Sequence, residues 1–219
     1  MHEPNIGLLN MDCLLYMKQC EDKQFDWAIV DPPYGIGFDG HHTITKEGHK
    51  GFSAKKELHA KKDWDSQRPS AEYFAELQRI SKNQIVWGGN YFTDLLEPAR
   101  CYIVWDKKTG DNSYADCELA LTNIDGNARI YTKFWLGAHA KDGYDRIHPT
   151  QKPINLYKFL LQNFAKAGMK IIDTHLGSGS ISIACYDEGY DLVGIEIDKK
   201  YFEEANKRLE LYKQQLTLF

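Results

Sequence analysis

The chain has 219 residues, 42% of them hydrophobic, and a formal net charge of −4 at pH 7. This length and apolar content suit one well-cored domain, and no apolar stretch approaches the roughly 20 residues that a membrane-spanning helix needs. The start of the chain lacks a basic segment followed by an apolar core, and the five scattered cysteines form no Cys-x-x-Cys pair. We therefore expect a cytoplasmic protein with no membrane contact, no disulfide framework and no zinc ribbon.

Two strands that lead to an acidic residue are predicted in the first part of the chain. The apolar run at 6–10 is followed by Asp12 and then by a helix at 13–20. The run at 27–30 is followed directly by Asp31. Both acids are therefore candidates for ligand contacts.

The middle of the chain combines short predicted strands with two irregular segments. Residues 35–69 lack periodicity, and because a loop of that length in a compact domain is usually functional, we interpret it as a substrate-facing loop. A second irregular segment, near 136–148, is a candidate recognition insert. A helix from about 71 to 81 and four strands are expected between these segments, the strands at 84–87, 102–105, 118–122 and 128–134.

The first irregular segment differs in charge from the chain as a whole. Residues 41–62 hold six lysines and four histidines against two glutamates, although the whole chain is acidic. Such a stretch suits contact with a polyanion, but it equally suits a solvated loop without a ligand. The irregular spacing of its histidines and the lack of a nearby cysteine pair argue against a zinc site.

The last part of the chain predicts two consecutive β–α units. An apolar helix, with Pro153 in its first turn, ends before Gly168. The strand at 170–173 then leads through a glycine-rich turn to a helix at 181–188, and the strand at 191–196 leads to the final helix. Strands that alternate with helices in this way predict an α/β fold with a mostly parallel, doubly wound sheet.

The tetrapeptide Asp31-Pro32-Pro33-Tyr34 is the most informative motif. Proline fixes φ and has no N–H, so this backbone cannot continue a sheet ladder and its carbonyl oxygens can face a ligand. A ring with an exocyclic amine would fit, because the amine could donate to the Asp31 carboxylate and the Pro32 carbonyl while Tyr34 lies against the ring. The plainer alternative is a strand end followed by a turn, since proline and aspartate are ordinary turn residues.

The segment 173–180 predicts a nucleoside-cofactor site. Its glycines allow a tight turn from strand to helix, and Glu196, at the end of the next strand, can accept both hydroxyls of a ribose. The turn lacks the third glycine of the dinucleotide fingerprint and the lysine of a P-loop, which disfavours NAD and ATP. A cofactor that presents a carboxylate and an amine would suit the turn better, with contacts to Asp173, Ser178 and Ser180.

In these motifs and their order the chain resembles the amino-methyltransferases that use S-adenosyl-L-methionine to methylate exocyclic amines of DNA bases, in the β-class motif order. The resemblance covers nearly the whole chain and rests on the segments 31–34, 148–153, 173–179 and 194–198. It implies one catalytic domain, 1–219, with a Rossmann-like methyltransferase fold. The fold would be circularly permuted, because the glycine-turn strand and the Glu196 strand, the first two of such a sheet, come last here.

The resemblance also assigns roles to individual residues. The implied catalytic residues are Asp31, Pro32, Pro33 and Tyr34. Asp12 would reach the adenine amine of the cofactor. Part of the enclosure around the methionine end of the cofactor would come from Thr150, Gln151 and Lys152. The other implied cofactor-binding residues are Asp31, Asp173, Leu176, Gly177, Ser178, Gly179, Ser180 and Glu196.

One departure from the family pattern is Thr174-His175, where the family usually has Pro-Phe. His175 could contact the cofactor or fill space in the core. We favour packing.

The resemblance implies direct methyl transfer, without a metal, to N6 of an adenine flipped out of double-stranded DNA. Within the family an initial Asp leans to adenine and an initial Ser to cytosine, so Asp31 favours adenine, and N4 of cytosine is the alternative. No residue excludes an RNA adenine methyltransferase. A nucleic-acid-binding module without activity is disfavoured because both motifs are intact. A homodimer and a restriction endonuclease partner are compatible with the sequence, which specifies neither.

Overall fold

Within the residues that the computed structural model describes, which are 4–37, 65–97, 99–110, 115–135 and 147–216, eight strands form one sheet. Their bounds are β1 Ile6–Asn10, β2 Phe25–Val30, β3 Ser81–Trp87, β4 Tyr102–Asp106, β5 Cys117–Thr122, β6 Arg129–Thr132, β7 Lys170–Asp173 and β8 Asp191–Glu196. The basic stretch 41–62 with its histidines, and most of the segment 136–148, lie outside the described residues. The polyanion and zinc interpretations of 41–62 and the recognition role of 136–148 therefore stay predictions.

The strands are ordered β1-β8-β7-β2-β3-β5-β4-β6 across the sheet. Neighbours are parallel except around β5, which runs antiparallel to both β3 and β4. The predicted mostly parallel α/β sheet is therefore confirmed.

The position of β7 confirms the predicted circular permutation. This glycine-turn strand lies between β8 and β2, and β1 lies outside β8. Counted from β7, the strands β7, β8 and β1 run outward on one side, and β2 begins the other side. The strand order thus reverses between β7 and β2, where open α/β sheets bind ligands at the carboxyl ends of their strands.

Five α-helices and one 3₁₀ helix accompany the described strands. The α-helices are α1 Cys13–Met17, α2 Ala71–Ile80, α3 Ile154–Phe164, α4 Ser180–Glu188 and α5 Lys199–Leu216, and the 3₁₀ helix is Gly89–Tyr91. None of the helices in the described part of the chain combines the length and apolarity needed to cross a membrane.

The end of α1 and the start of α3 differ from the sequence prediction. The helix expected to reach Cys20 ends at Met17, because the following amides of Gln19 and Cys20 bond to carbonyls three residues back and tighten the last turn. Pro153 lies at the N-cap of α3 and not in its first turn. Proline is tolerated at this position too, because an N–H at the N-cap would have no hydrogen-bond acceptor within the helix.

The two faces of the sheet bury alternate side chains of each strand. In β2, Trp27 and Ile29 join the cluster under α3, α4 and α5, whereas Ala28 and Val30 join the cluster under α1 and α2. This is the period of two that a strand buried on both faces requires. The covered sheet holds its strand ends in fixed relative positions, and the candidate site is built there.

Candidate active site

Asp31 and Asp173 lie at the same edge of the sheet. Asp31 directly follows β2, and Asp173 is the last residue of β7. The two strands are parallel neighbours, with Ala28 opposite Ile172. The implied catalytic motif and the implied cofactor turn therefore leave the sheet side by side.

The Asp31 carboxylate binds two side chains. The Tyr34 hydroxyl donates to Oδ1 over 2.8 Å, and the Lys152 ammonium donates to Oδ2 over 2.5 Å. Burial raises the pKa of the Asp31 carboxyl, while Lys152 acts in the opposite direction and favours the ionised form. Among the described residues, no hydrogen bond engages the carbonyl of Pro32, which leaves it available to a ligand.

Tyr34 is held between aromatic rings and a glycine. Its ring stacks on Tyr91, with centroids 4.8 Å apart and planes at 13°, and Phe92 meets it edge-on. A Cβ built on Gly88 would lie 2.1 Å from Cε1 of Tyr34, and Gly88 has a φ of +63°. Both the space and the backbone conformation at position 88 therefore require glycine.

A chain of alternating charges leads away from Asp31. Lys152, whose side chain is 3% exposed, also pairs with Glu118 over 3.0 Å, and Glu118 pairs with Lys107 over 2.5 Å. Burial acts to raise the pKa of Glu118, but Lys152 and Lys107 outweigh it and lower this pKa to about 2. The ammonium of Lys152 also lies 5.3 Å from the ring centroid of Trp87. Two carboxylates thus share one buried cation.

The described ends of the segment 35–69 are attached near Tyr34. Gly35 donates its N–H to the Asp65 carboxylate over 2.9 Å, and Gly37 donates to the Asp65 carbonyl over 3.0 Å. Arg68 forms an ion pair with Asp94 and donates to the Tyr91 carbonyl over 3.0 Å. The predicted substrate-facing loop therefore leaves and rejoins the fold beside the Asp-Pro-Pro-Tyr motif.

The glycine-rich turn joins β7 to α4 in the way that its sequence predicts. Gly177 and Gly179 have φ of +53° and +68°, and Gly179 is the N-cap of α4. A Cβ on Gly179 would lie 3.0 Å from Cβ of Ala205, so α5 also packs closely on the turn. Leu176, which is buried, donates its N–H to the Ile195 carbonyl over 2.9 Å and thereby ties the turn to β8.

Arg208 of α5 forms hydrogen bonds with the same turn. It donates to the Ser178 carbonyl over 2.9 Å and to the Ser180 hydroxyl over 3.0 Å. The two serine hydroxyls lie 3.1 Å apart, and both side chains are buried. These contacts fix the shape of the turn before any ligand binds.

Glu196 is oriented by the backbone. Its Oε2 accepts the Gly177 N–H and its Oε1 accepts the Asp198 N–H, each over 2.9 Å. A carboxylate oxygen has a second lone-pair site, so both oxygens can still accept a ribose hydroxyl. The next residue, Ile197, has 69% of its surface exposed and offers an apolar face to a flat ring.

Asp173 is a buried carboxyl, and no cationic side chain among the described residues forms an ion pair with it. Burial, with the nearby carboxylates of Asp31 and Glu196, raises the pKa of Asp173 to about 8, although the His175 N–H donates to it over 3.0 Å. A cationic ligand would reverse this shift, because an opposite charge favours the ionised form.

The remaining implied cofactor residues surround this region. Asp12 is the N-cap of α1 and accepts the Leu15 N–H over 2.9 Å. The Gln151 side chain is buried and accepts the Ile147 N–H, and the Thr150 hydroxyl lies 3.1 Å from Nδ1 of His148. The His148 ring in turn lies 3.7 Å from where a Cβ of Gly177 would be. The segment 147–153 therefore covers the glycine turn, whereas the Lys152 ammonium points to Asp31.

His175 takes part in a packed polar chain. The hydroxyls of Tyr73 and Thr174 are 2.6 Å apart, and the Thr174 hydroxyl lies 3.0 Å from Nδ1 of His175. Burial lowers the pKa of His175 to about 4, so the ring is neutral at physiological pH. These contacts agree with the packing role that we favour from the sequence.

The chemistry of these groups fits S-adenosyl-L-methionine. The buried acid Asp173 suits a cation, Glu196 suits the ribose, and Ile197 suits an adenine face. The turn offers no lysine for a pyrophosphate.

Sequence reasoning missed five residues that shape this site: Gly88, Tyr91, Lys107, Glu118 and Arg208. Four of them contact the motifs from another strand, turn or helix, Lys107 contacts Glu118, and none of the five belongs to a recognisable motif. The signals in the sequence are weak: a glycine pair after β3, and an acid within an otherwise apolar predicted strand.

The sequence profile described as DNA methylase matches residues 82–207, more than half of the chain. The chain belongs to this family. It is therefore a DNA methyltransferase of the group whose members modify N6 or N4 amines of bases. The match includes the glycine turn and Glu196, but it begins after the Asp-Pro-Pro-Tyr motif.

Similar methyltransferases extend over nearly the whole chain. The type II methyltransferase M.HpaI of Haemophilus parainfluenzae is 24% identical over 246 residues, which cover 93% of this chain and 74% of that protein. The type II methyltransferase M2.DpnII of Streptococcus pneumoniae is also 24% identical, over 93% of this chain and 89% of its own.

Solved structures show the same fold at lower identity. The complex of M1.HpyAVI with S-adenosylmethionine is 18% identical, with a TM-score of 0.56 over 93% of this chain and all of that one. The PvuII DNA methyltransferase, cytosine-N4-specific, is 10% identical, with a TM-score of 0.61 over 99% of this chain and 94% of its own. At these identities the likeness confirms the Rossmann-like methyltransferase fold and says nothing about the base.

Proposed function

We propose that this DNA methyltransferase transfers the methyl group of S-adenosyl-L-methionine to N6 of a flipped adenine. In this proposal the Asp31 carboxylate accepts a hydrogen bond from the N6 amine. The observation that carries the proposal is the Asp31 carboxylate, paired with Lys152 at the edge of the sheet beside the glycine turn. The Pro32 carbonyl, to which no described residue donates a hydrogen bond, and the Tyr34 ring would complete an amine-shaped pocket, and Pro33 would keep the backbone rigid there.

The cofactor would be held by residues of both β–α units. Asp173 would pair with its positive charge, Glu196 would accept the ribose hydroxyls, and Asp12 would accept the adenine amine. The backbone of the segment 176–180 and the residues Thr150 and Gln151 would border the methionine end. When bound, S-adenosyl-L-methionine supplies an electrophilic methyl group.

Asp31 and Pro32 would act on the amine that receives the methyl group. An exocyclic amine is conjugated with its ring and is a poor nucleophile. Hydrogen bonds to Oδ1 of Asp31 and to the Pro32 carbonyl would draw the amine out of conjugation and stabilise the positive charge that grows on nitrogen. Holding the two reactants at one edge of the sheet can lower the barrier by roughly a further 7–11 kcal/mol.

Tyr34 would replace part of the stacking that a flipped base loses. Flipping costs a few kcal/mol, and stacking on an aromatic side chain returns about 1–3 kcal/mol per base. The Tyr34–Tyr91 pair beside Asp31 supplies an aromatic surface at the required place.

Asp31→Asn tests the catalytic role, because it removes the negative charge while keeping the shape of the side chain. We expect methyl transfer to DNA to fall more than about ten-fold, equivalent to a barrier increase above roughly 1.4 kcal/mol. Binding of S-adenosyl-L-methionine, measured by calorimetry, should stay within a few-fold of wild type. Asp125→Asn, at an exposed ion pair with Arg100, is the control and should leave both quantities unchanged. Retention of more than a tenth of the wild-type turnover by Asp31→Asn would refute the assignment.

A further inference from the structure

Among the described residues, Lys152 is the most deeply buried cation near the proposed amine pocket, and its contacts are with protein carboxylates. Its ammonium lies 2.5 Å from Asp31 and 3.0 Å from Glu118, and Lys107 pairs with the far side of Glu118. A lone ammonium next to Asp31 would oppose the positive charge that grows on the reacting amine. Glu118 neutralises the charge of that ammonium, so Asp31 stays attractive to the amine. The charges of Asp31, Lys152, Glu118 and Lys107 together sum to zero.

We infer that Lys152 and Glu118 are positioning residues for Asp31: Lys152 holds Oδ2 so that Oδ1 faces the amine, and Glu118 neutralises Lys152. This inference rests on the proposed function of Asp31. It adds Glu118, a residue of β5 outside every motif, to the parts on which methyl transfer depends.

The contacts of Asp31 and Glu118 agree with these roles. The two oxygens of Asp31 have different partners, with Lys152 on Oδ2 and the Tyr34 hydroxyl on Oδ1. An arriving amine can share or take over the Tyr34 position without breaking the buried ion pair. Glu118 is fixed in turn by Lys107, so it cannot follow Lys152 toward Asp31.

Charged and titratable groups face Asp31 and Lys152 from several elements. They are Tyr34 after β2, Tyr73 on α2, Glu118 on β5, Lys107 after β4, Tyr157 on α3 and Asp173 on β7. Lys152 lowers the pKa of Asp31, whereas Glu118 raises it. Removing Lys152 should therefore raise the pKa of Asp31, and removing Glu118 should lower it. General destabilisation of the fold would not produce shifts of opposite sign.

The test compares Lys152→Met, Glu118→Gln and the double variant by the pH dependence of single-turnover methyl transfer. Transfer needs ionised Asp31, which is lost at low pH. The acidic limb of the pH–rate profile should therefore move to higher pH by about one to three units in Lys152→Met. It should move to lower pH in Glu118→Gln, while the plateau rate falls at least about ten-fold because Lys152 is no longer neutralised. The double variant should have an acidic limb nearer to wild type than that of Lys152→Met.

Two controls keep the outcomes separable. Lys82→Met removes a cation paired with Asp26 at the opposite end of β2 and should not move the limb. The pKa of Asp31 measured by NMR on carboxyl-labelled protein should show the same opposite shifts without any reaction. A wild-type protein that methylates no DNA, yet shows these shifts, would refute the proposed function but leave the electrostatic arrangement standing.

Equal losses of rate at every pH, or shifts of the same sign in both single variants, would overturn the inference. If Lys152→Met does not fold, Glu118→Gln decides alone: a pKa of Asp31 that is unchanged or raised would overturn it.

Discussion

At the scale of single residues, Asp173 shows how burial prepares a site for a cation. Water would stabilise its ionised form, but at the end of β7 the carboxyl is 1% exposed, and this burial, together with the carboxylates of Asp31 and Glu196, raises its pKa to about 8. The protonated acid is therefore the main form at neutral pH before a cofactor binds. A sulfonium or ammonium group placed there would favour the ionised form.

The resulting prediction is that binding of S-adenosyl-L-methionine releases a proton from Asp173 at pH 7. Because only the ionised acid pairs with the cation, the affinity should rise with pH up to about 8 and then level off. Calorimetry in two buffers with different ionisation enthalpies measures the released protons. Asp173→Asn should abolish this release and weaken binding. The same binding heat in both buffers, or the same release in Asp173→Asn, would contradict the assignment.

The residue scale also shows what the sequence could predict. Asp31, Tyr34, the glycine turn and Glu196 belong to local motifs, and the resemblance of these motifs to a known family was enough to expect them in one site. Lys107 and Glu118 escaped prediction because Glu118 comes near Lys152 through the pairing of β5 with β3, and Lys107 comes near Glu118 through the pairing of β5 with β4. No local pattern encodes either pairing.

At the scale of elements, short apolar runs bounded by polar or charged residues were predicted best. The bounds expected for β1, β7 and β8 match the structure. The strand β3 begins at Ser81 and not at Gln84, because α2 passes directly into it and its first residues are polar. The antiparallel direction of β5 could not be read from periodicity, since both directions share a period of two.

The turn after β3 carries a prediction at this scale. Gly88→Ala should displace Tyr34, because the new Cβ would lie 2.1 Å from Cε1 of the ring. We expect the free energy of unfolding to fall by about 1–3 kcal/mol and methyl transfer to fall at least about ten-fold. Chemical denaturation and a methylation assay measure the two effects.

Gly168→Ala is the matched control for this variant. Gly168 has a φ of +81°, but a Cβ there would meet nothing within 4 Å. It imposes a comparable backbone strain without touching Tyr34, so its methyl transfer should stay near wild type. Equal activity losses in the two variants would mean that backbone strain, and not the place of Tyr34, limits the reaction.

At the scale of the whole molecule, the strand order joins two halves that are distant in sequence. The amine motif follows β2 near the start of the chain, and the cofactor turn follows β7 near its end. They meet because β2 and β7 are parallel neighbours at the point where the strand order reverses. The resemblance of the motifs and their order to the methyltransferase family predicted this permutation. Most of the segments 35–69 and 136–148, from which we expect DNA contacts, lies outside the described residues.

The identity of the methylated base tests the central claim most directly. DNA incubated with the protein and methyl-labelled S-adenosyl-L-methionine would be digested to nucleosides and analysed by mass spectrometry. Our account predicts label in N6-methyladenine with the wild type and its loss with Asp31→Asn. Label in N4-methylcytosine would contradict the proposed base, and a wild-type protein that labels no base in DNA would contradict the proposed function as a whole.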